Sequence, residues 1–135
     1  MVSGILDTNT LIHLGRIHDV GQLPDEPFIT TVTLAELSVG PLVARTDEER
    51  AARQAHLQQA EADFQPIPFD SAAARAFGSV AADLRTAGRK PAARAYDAMI
   101  AAIAIANDLP LHTCNGADFA GITRLVVVEV DHPDQ

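Results

Sequence analysis

Short apolar runs alternate along this chain with longer stretches of helical spacing. "GILD" (Gly4 to Asp7) is an apolar run that ends in Asp-Thr-Asn, the pattern of a buried strand meeting a polar loop. Thr10 to Leu14 opens a short helix, and "DVGQLPDEP" (Asp19 to Pro27) reads as loop, punctuated by Gly and Pro. "FITTV" (Phe28 to Val32) is β-branched and predicts a second strand. From Thr33 to Ala44 the spacing turns helical. Leu34, Leu37 and Val39 give that helix an apolar side, and Gly40-Pro41 breaks it. Thr46, with Glu49 three residues on, matches a capping box that opens a polar helix to about Phe64.

"QPIPF" (Gln65 to Phe69) is a short strand or sheet edge. Asp70 caps a helix that runs to about Thr86 and stops at Gly88. "RKPAAR" (Arg89 to Arg94) is a basic loop, followed by a helix to about Asn107. "LPLHT" (Leu109 to Thr113) is a strand, "CNGADF" a turn into helix, and "RLVVVEV" (Arg124 to Val130) the last strand. Residues 131–135 read as a solvated tail of one domain covering 1–135. Strands alternating with helices predict a parallel α/β sheet. Ligands of such sheets bind at the carboxyl ends of the strands.

That rim collects acids. Asp7 ends the first strand, and Asp118 lies just past "LPLHT". Glu36 falls in the first turn of the helix after the second strand, among Leu34, Ala35 and Leu37. Asp97 opens a helix in which Ala98 to Ala106 are all apolar. It shares a face with Ile100, Ala101 and Ala104, so its side chain points inward or at a cleft. Taken singly, Asp97 reads equally as a helix cap, Asp118 more readily as a cap than as a ligand, Asp7 as a turn residue and Glu36 as a half-exposed helix residue. Four acids at one rim, two in apolar context, need another explanation. Isolated buried carboxylates are costly, and neighbours repel. A hard divalent cation, Mg²⁺ or Mn²⁺, resolves both problems. The chemistry that suits such a site is phosphodiester hydrolysis by a metal-activated water.

Composition narrows the picture. With 10 Lys+Arg against 18 Asp+Glu, the net charge is −8, without the basic footprint usual for nucleic-acid binding. Arg85, Arg89, Lys90 and Arg94 nevertheless cluster within ten residues, a local patch for phosphates. Cys114 is the only cysteine, which excludes an intrachain disulfide and fits a reducing compartment. No signal peptide or membrane-spanning run is present, so a cytoplasmic protein is expected. The five histidines show no zinc-like spacing.

"LDTNTLIHL" (Leu6 to Leu14), "TTVTLAELSVG" (Thr30 to Gly40), "RAYDAMIAAIAIANDLPLHTCNGADF" (Arg94 to Phe119) and the closing "VVVEV" together span nearly the whole chain. In order and spacing they resemble the PIN-domain ribonucleases, specifically the VapC-type toxins of bacterial toxin–antitoxin pairs. The resemblance implies a three-layer α/β fold with a five-stranded parallel sheet flanked by helices. It implies an Mg²⁺ or Mn²⁺ site and endonucleolytic cleavage of RNA. Asp7, Glu36, Asp97 and Asp118 match the family's acidic quartet, its catalytic and metal-binding residues. Thr8 matches the small hydroxyl residue after the first acid. Thr113 and Asn115 match the polar pair that supports the carboxylates, and Arg94 a basic residue for a phosphate contact. Cys114 stands where many members carry a basic residue. Partners implied are a cognate VapB-type antitoxin, a homodimer and toxin–antitoxin hetero-oligomers, with the helix from Thr33 to Ala44 offering a groove. The rival readings are a related metal-dependent nuclease acting on DNA and a catalytically silent domain that binds a partner. A small α/β phosphatase ranks lower, because Asp7-Thr8-Asn9 lacks a second acid.

Overall fold

A computed structural model describes residues 1–135. Four parallel strands form one sheet in the order β2-β1-β3-β4: β1 Ser3–Leu6, β2 Glu26–Phe28, β3 Leu111–Thr113 and β4 Val127–Glu129. Ile5 pairs with Phe28 on one side and Leu111 on the other, so β1 and β3 are the central strands. The fifth predicted strand shrinks to a single parallel bridge between Thr30 and Ile67. Ile67 donates to the Ile29 carbonyl, and Thr31 donates to that of Ile67. Pro66 and Pro68 flank it without N–H groups, so the ladder cannot extend.

The segment "FITTV" is divided between two elements. Pairing with β1 ends at Phe28, and the Thr30 hydroxyl accepts the Thr33 amide to cap α2 (Thr31–Val39). Capping there overrides β propensity and moves Glu36 from the first turn of the helix to the second. A 3-10 turn over Gly40–Val43 ends the apolar segment where Pro41 forces it. The polar helix α3 (Asp47–Asp63) starts as expected at Thr46, which accepts the Glu49 amide. The reciprocal bond of the capping box is shifted by one residue, because Glu49 accepts from Arg45. The remaining helices are α1 (Thr8–Ile12), α4 (Ser71–Thr86) and α5 (Ala95–Ala106). None is long and apolar enough to cross a membrane.

The main core lies between the sheet and the α4–α5 pair. Residues Ile100 to Ile105 of α5 are all buried, and Ala73, Ala76, Val80 and Leu84 face them from α4. A smaller core of Ile29, Leu37 and Ala60 joins α2 to α3. The buried His112 side chain of β3 lies over Gly4 of β1, where a Cβ would sit 2.3 Å from Cδ2 of its ring. The tail is tied down rather than free. Asp134 pairs with Arg16, His132 packs edge-on against His13, and the Asp131 amide donates to Gln22.

Candidate active site

The carboxyl end of β1 delivers Asp7 into a nest of hydroxyls. Asp7 is only 4% exposed. Its Oδ1 accepts from the Thr10 amide at 3.2 Å and from the Thr10 hydroxyl, and its Oδ2 accepts from the Thr113 hydroxyl at 2.8 Å. Each hydroxyl is itself fixed by a backbone amide. Cys114 donates to Thr10 Oγ1 and Asn115 to Thr113 Oγ1. Two residues of β1–α1 and three around the end of β3 thus close one network across the sheet. Burial pushes the Asp7 carboxyl above its ordinary range, the hydroxyl and amide donors pull it back, and the charge of Asp118 raises it further.

Glu36 is held from the other side of α1. The Thr8 hydroxyl donates to Glu36 Oε1 at 2.6 Å. It has one proton to give, so the 3.0 Å contact between the Thr8 and Thr33 hydroxyls runs from Thr33 to Thr8. Burial is also the main reason the Glu36 carboxyl is raised, with the Thr8 bond opposing and the Asp7 charge adding.

Asp97 is treated differently. It sits in the first turn of α5, half-buried, but it is not the cap of that helix, since Arg94 occupies the cap position. Its carboxyl is pushed up to about 6, first by burial and then by the charges of Asp118, Asp7 and Glu36. Arg94 alone opposes them, and no hydrogen bond does. Asp118, in the 3-10 turn Gly116–Phe119 after β3, meets Arg94 Nη1 at 3.3 Å.

Glu36, Arg94, Asp97 and Asp118 line one open cleft of about 520 Å³, together with Asn9 and the exposed Tyr96. Asp7 lies behind this wall and acts on it through charge. The structure therefore brings all four predicted acids into one mutually repelling cluster. The donors are hard oxygens, the kind that Mg²⁺ and Mn²⁺ take. The side chains have not closed on a common point, however, since no three His, Cys, Asp or Glu residues stand in a ligating arrangement. Of the supporting residues expected, Thr8 and Thr113 touch acids directly, whereas Asn115 acts through its backbone amide. Sequence reasoning missed Thr10 and Thr33. Thr10 had a local signal, the Asp-x-x-Thr spacing of a capping turn.

A family model for the PIN domain matches residues 5–125. Ribonuclease VapC5 of Mycobacterium tuberculosis is 39% identical over 130 residues, which cover 95% of this chain and 93% of that protein. Ribonuclease VapC8 of the same species is 32% identical over 101 residues, covering 75% of this chain and 89% of that one. Among solved structures, VapBC-5, a member of the VapBC family of toxin–antitoxin systems from M. tuberculosis, matches with a TM-score of 0.83 at 36% identity. That alignment covers 96% of this chain and 100% of its counterpart.

Proposed function

The chain belongs to the PIN-domain family, and from that premise we propose that it is a VapC-type endoribonuclease, the toxin of a toxin–antitoxin pair. In this reading Asp7, Glu36, Asp97 and Asp118 hold one or more divalent cations, Mg²⁺ or Mn²⁺. When bound, such a cation polarises a phosphoryl oxygen of RNA and lowers the pKa of a water that attacks in line. The chain's own residues set the stage. Thr10 and Thr113 hold both oxygens of Asp7, and Thr8 fixes one oxygen of Glu36. Arg94 neutralises Asp118 from the rim of the cleft and is positioned to take a phosphate of the substrate.

The observation that carries the reading is Asp97. A carboxylate without a hydrogen bond, at the start of an otherwise buried apolar helix and crowded by three other acids, costs stability. A bound cation removes that cost. The antitoxin is the partner that accompanies this function, as in the matched VapBC pair. An apolar cleft of about 310 Å³ formed by α1, α2 and α3, with Leu11, Ile12, Leu37 and Phe64 in its walls, suits a helix or strand of such a partner. Self-association into dimers belongs to the same reading.

The test is cleavage of a mixed cellular RNA pool by the purified chain with Mg²⁺, with Mn²⁺ and with chelator, beside Asp7→Asn. Discrete, metal-dependent products absent from the variant are expected. Cleavage of DNA but not RNA transfers the chemistry to a DNA nuclease. Absence of both cleavage and metal binding leaves a partner-binding domain.

A further inference from the structure

We propose that Arg89 is a positioning residue for Asp118, setting the fourth acid of the site from a point outside the cleft. The inference rests on the metal-dependent reading above for its consequence, but its geometry stands alone. Helix α4 ends in a Schellman turn. Gly88 takes φ +76°, its amide donates to the Arg85 carbonyl, and the Arg89 amide donates to the Leu84 carbonyl at 2.8 Å. Two hydrogen bonds and a left-handed residue therefore fix the backbone from which the Arg89 side chain starts. Its Nη1 then reaches the backbone of the turn after β3, donating to the Ala120 carbonyl at 2.9 Å and to that of Asp118 at 3.4 Å.

That turn needs an outside hold. Gly116–Phe119 is one 3-10 turn with no side-chain cap at Asn115. The segment that follows it is tied to the same end of α4. Asp83 accepts the amide and the hydroxyl of Thr123, and Phe119 is buried in the core that includes Leu84. Arg89 grips the backbone of Asp118 rather than its carboxylate. It leaves both carboxylate oxygens of Asp118 for the cleft, where Arg94 meets one of them.

The sign of the effect on cation binding separates positioning from charge. Arg89 is a cation beside an acidic site, so by charge alone its removal tightens binding of another cation. Loss of a positioning contact weakens it, typically about tenfold. The experiment compares the full-length wild type with Arg89→Met, which keeps the apolar stem, and Arg89→Lys, which keeps the charge without the planar fork. Mn²⁺ affinity is read by calorimetry without RNA, backbone amide exchange by mass spectrometry or NMR, and kcat and KM on a cleaved RNA.

In Arg89→Met, Mn²⁺ binding weakens about tenfold, the Asp118 and Ala120 amides exchange faster while those of α5 do not, and kcat falls at constant KM. Arg89→Lys lies between it and the wild type. Unchanged or tighter Mn²⁺ binding in Arg89→Met overturns the proposal. So does a rise in KM at constant kcat, which makes Arg89 a substrate contact. If the wild type binds no Mn²⁺, the metal reading of the site fails, and amide exchange at Asp118 and Ala120 decides the role of Arg89 by itself.

Discussion

Asp7, at the end of β1, accepts three hydrogen bonds from two threonines, while Asp97, in the first turn of α5, accepts none. Both are acids of one cluster, and both are raised by burial. The difference lies in what the fold provides for the charged form. Around Asp7 both hydroxyl donors are braced by a second bond, so its carboxylate has one orientation before any ligand arrives. Around Asp97 the only favourable influence is Arg94, which is itself shared with Asp118. One acid is built into the protein as a fixed reference point. The other is left without a hydrogen bond among three like charges, and on the proposed function a bound cation relieves it.

The contrast is broken most strongly by removing each charge. Asp7→Asn and Asp97→Asn should each lower cleavage by about 10³-fold or more, as expected when members of one catalytic unit are lost. Their stabilities should move apart in thermal unfolding without metal. Asp97→Asn should gain roughly 1–3 kcal/mol at pH 7, the worth of its raised pKa discounted for partial exposure. Asp7→Asn should lose about 1–2 kcal/mol, because an amide NH₂ faces a hydroxyl that also donates. An Asp97→Asn protein that unfolds early would make Asp97 a structural element of α5.

Next in size is the pH dependence. The folded pKa of Asp97, about 6, lies above its ordinary 3.8, so the native state binds more protons than the unfolded one between those values. Stability without metal should therefore fall as pH rises through that window, by roughly 1–3 kcal/mol. Denaturant titration should show the fall in the wild type and a shallower one in Asp97→Asn, where Asp7 and Glu36 contribute with the same sign. Above pH 6, saturating Mn²⁺ should restore the stability lost.

Smaller still is Thr10→Val, which removes a donor to Asp7 and the acceptor for Cys114. A loss of about 1–2 kcal/mol is expected, with cleavage reduced roughly tenfold, measured by unfolding and by initial rates. The least is Thr33→Val. Thr8 keeps its own proton for Glu36, so the change should stay within about 1 kcal/mol, with cleavage near wild type.

The acids were legible in the sequence because each follows a short apolar run or opens an apolar helix, and parallel topology sends such positions to one rim. Helix ends were legible for the same local reason, at Thr46, Asp70 and Gly88. The boundary within "FITTV" was not, because the Thr30 cap competes there with β-branched propensity and wins. The fifth strand is held to one parallel bridge by two prolines whose effect depends on which edge they face. The tail was read from its polar composition, which says nothing of Arg16 or His13 waiting beside it. Thr33, Arg89 and the half of Thr10 that faces Cys114 escaped for a common reason. Each acts on atoms remote in sequence, such as Cys114 for Thr10 or Ala120 for Arg89, and no local pattern announces such a pairing.

The bond from Thr113 to Asp7 joins residues 106 apart, and it bears on the birth of the protein as well as on its resting state. On a ribosome adding about 5–20 residues each second, Asp7 waits on the order of 5–20 s for the hydroxyl that orients it. Until then the nascent chain carries Asp7, Glu36 and Asp97 without Thr113 or Asp118. The final orientation of Asp7 is thereby left to a hydroxyl made 106 positions after it, and the oldest acid of the site is held on both oxygens only near the end of synthesis.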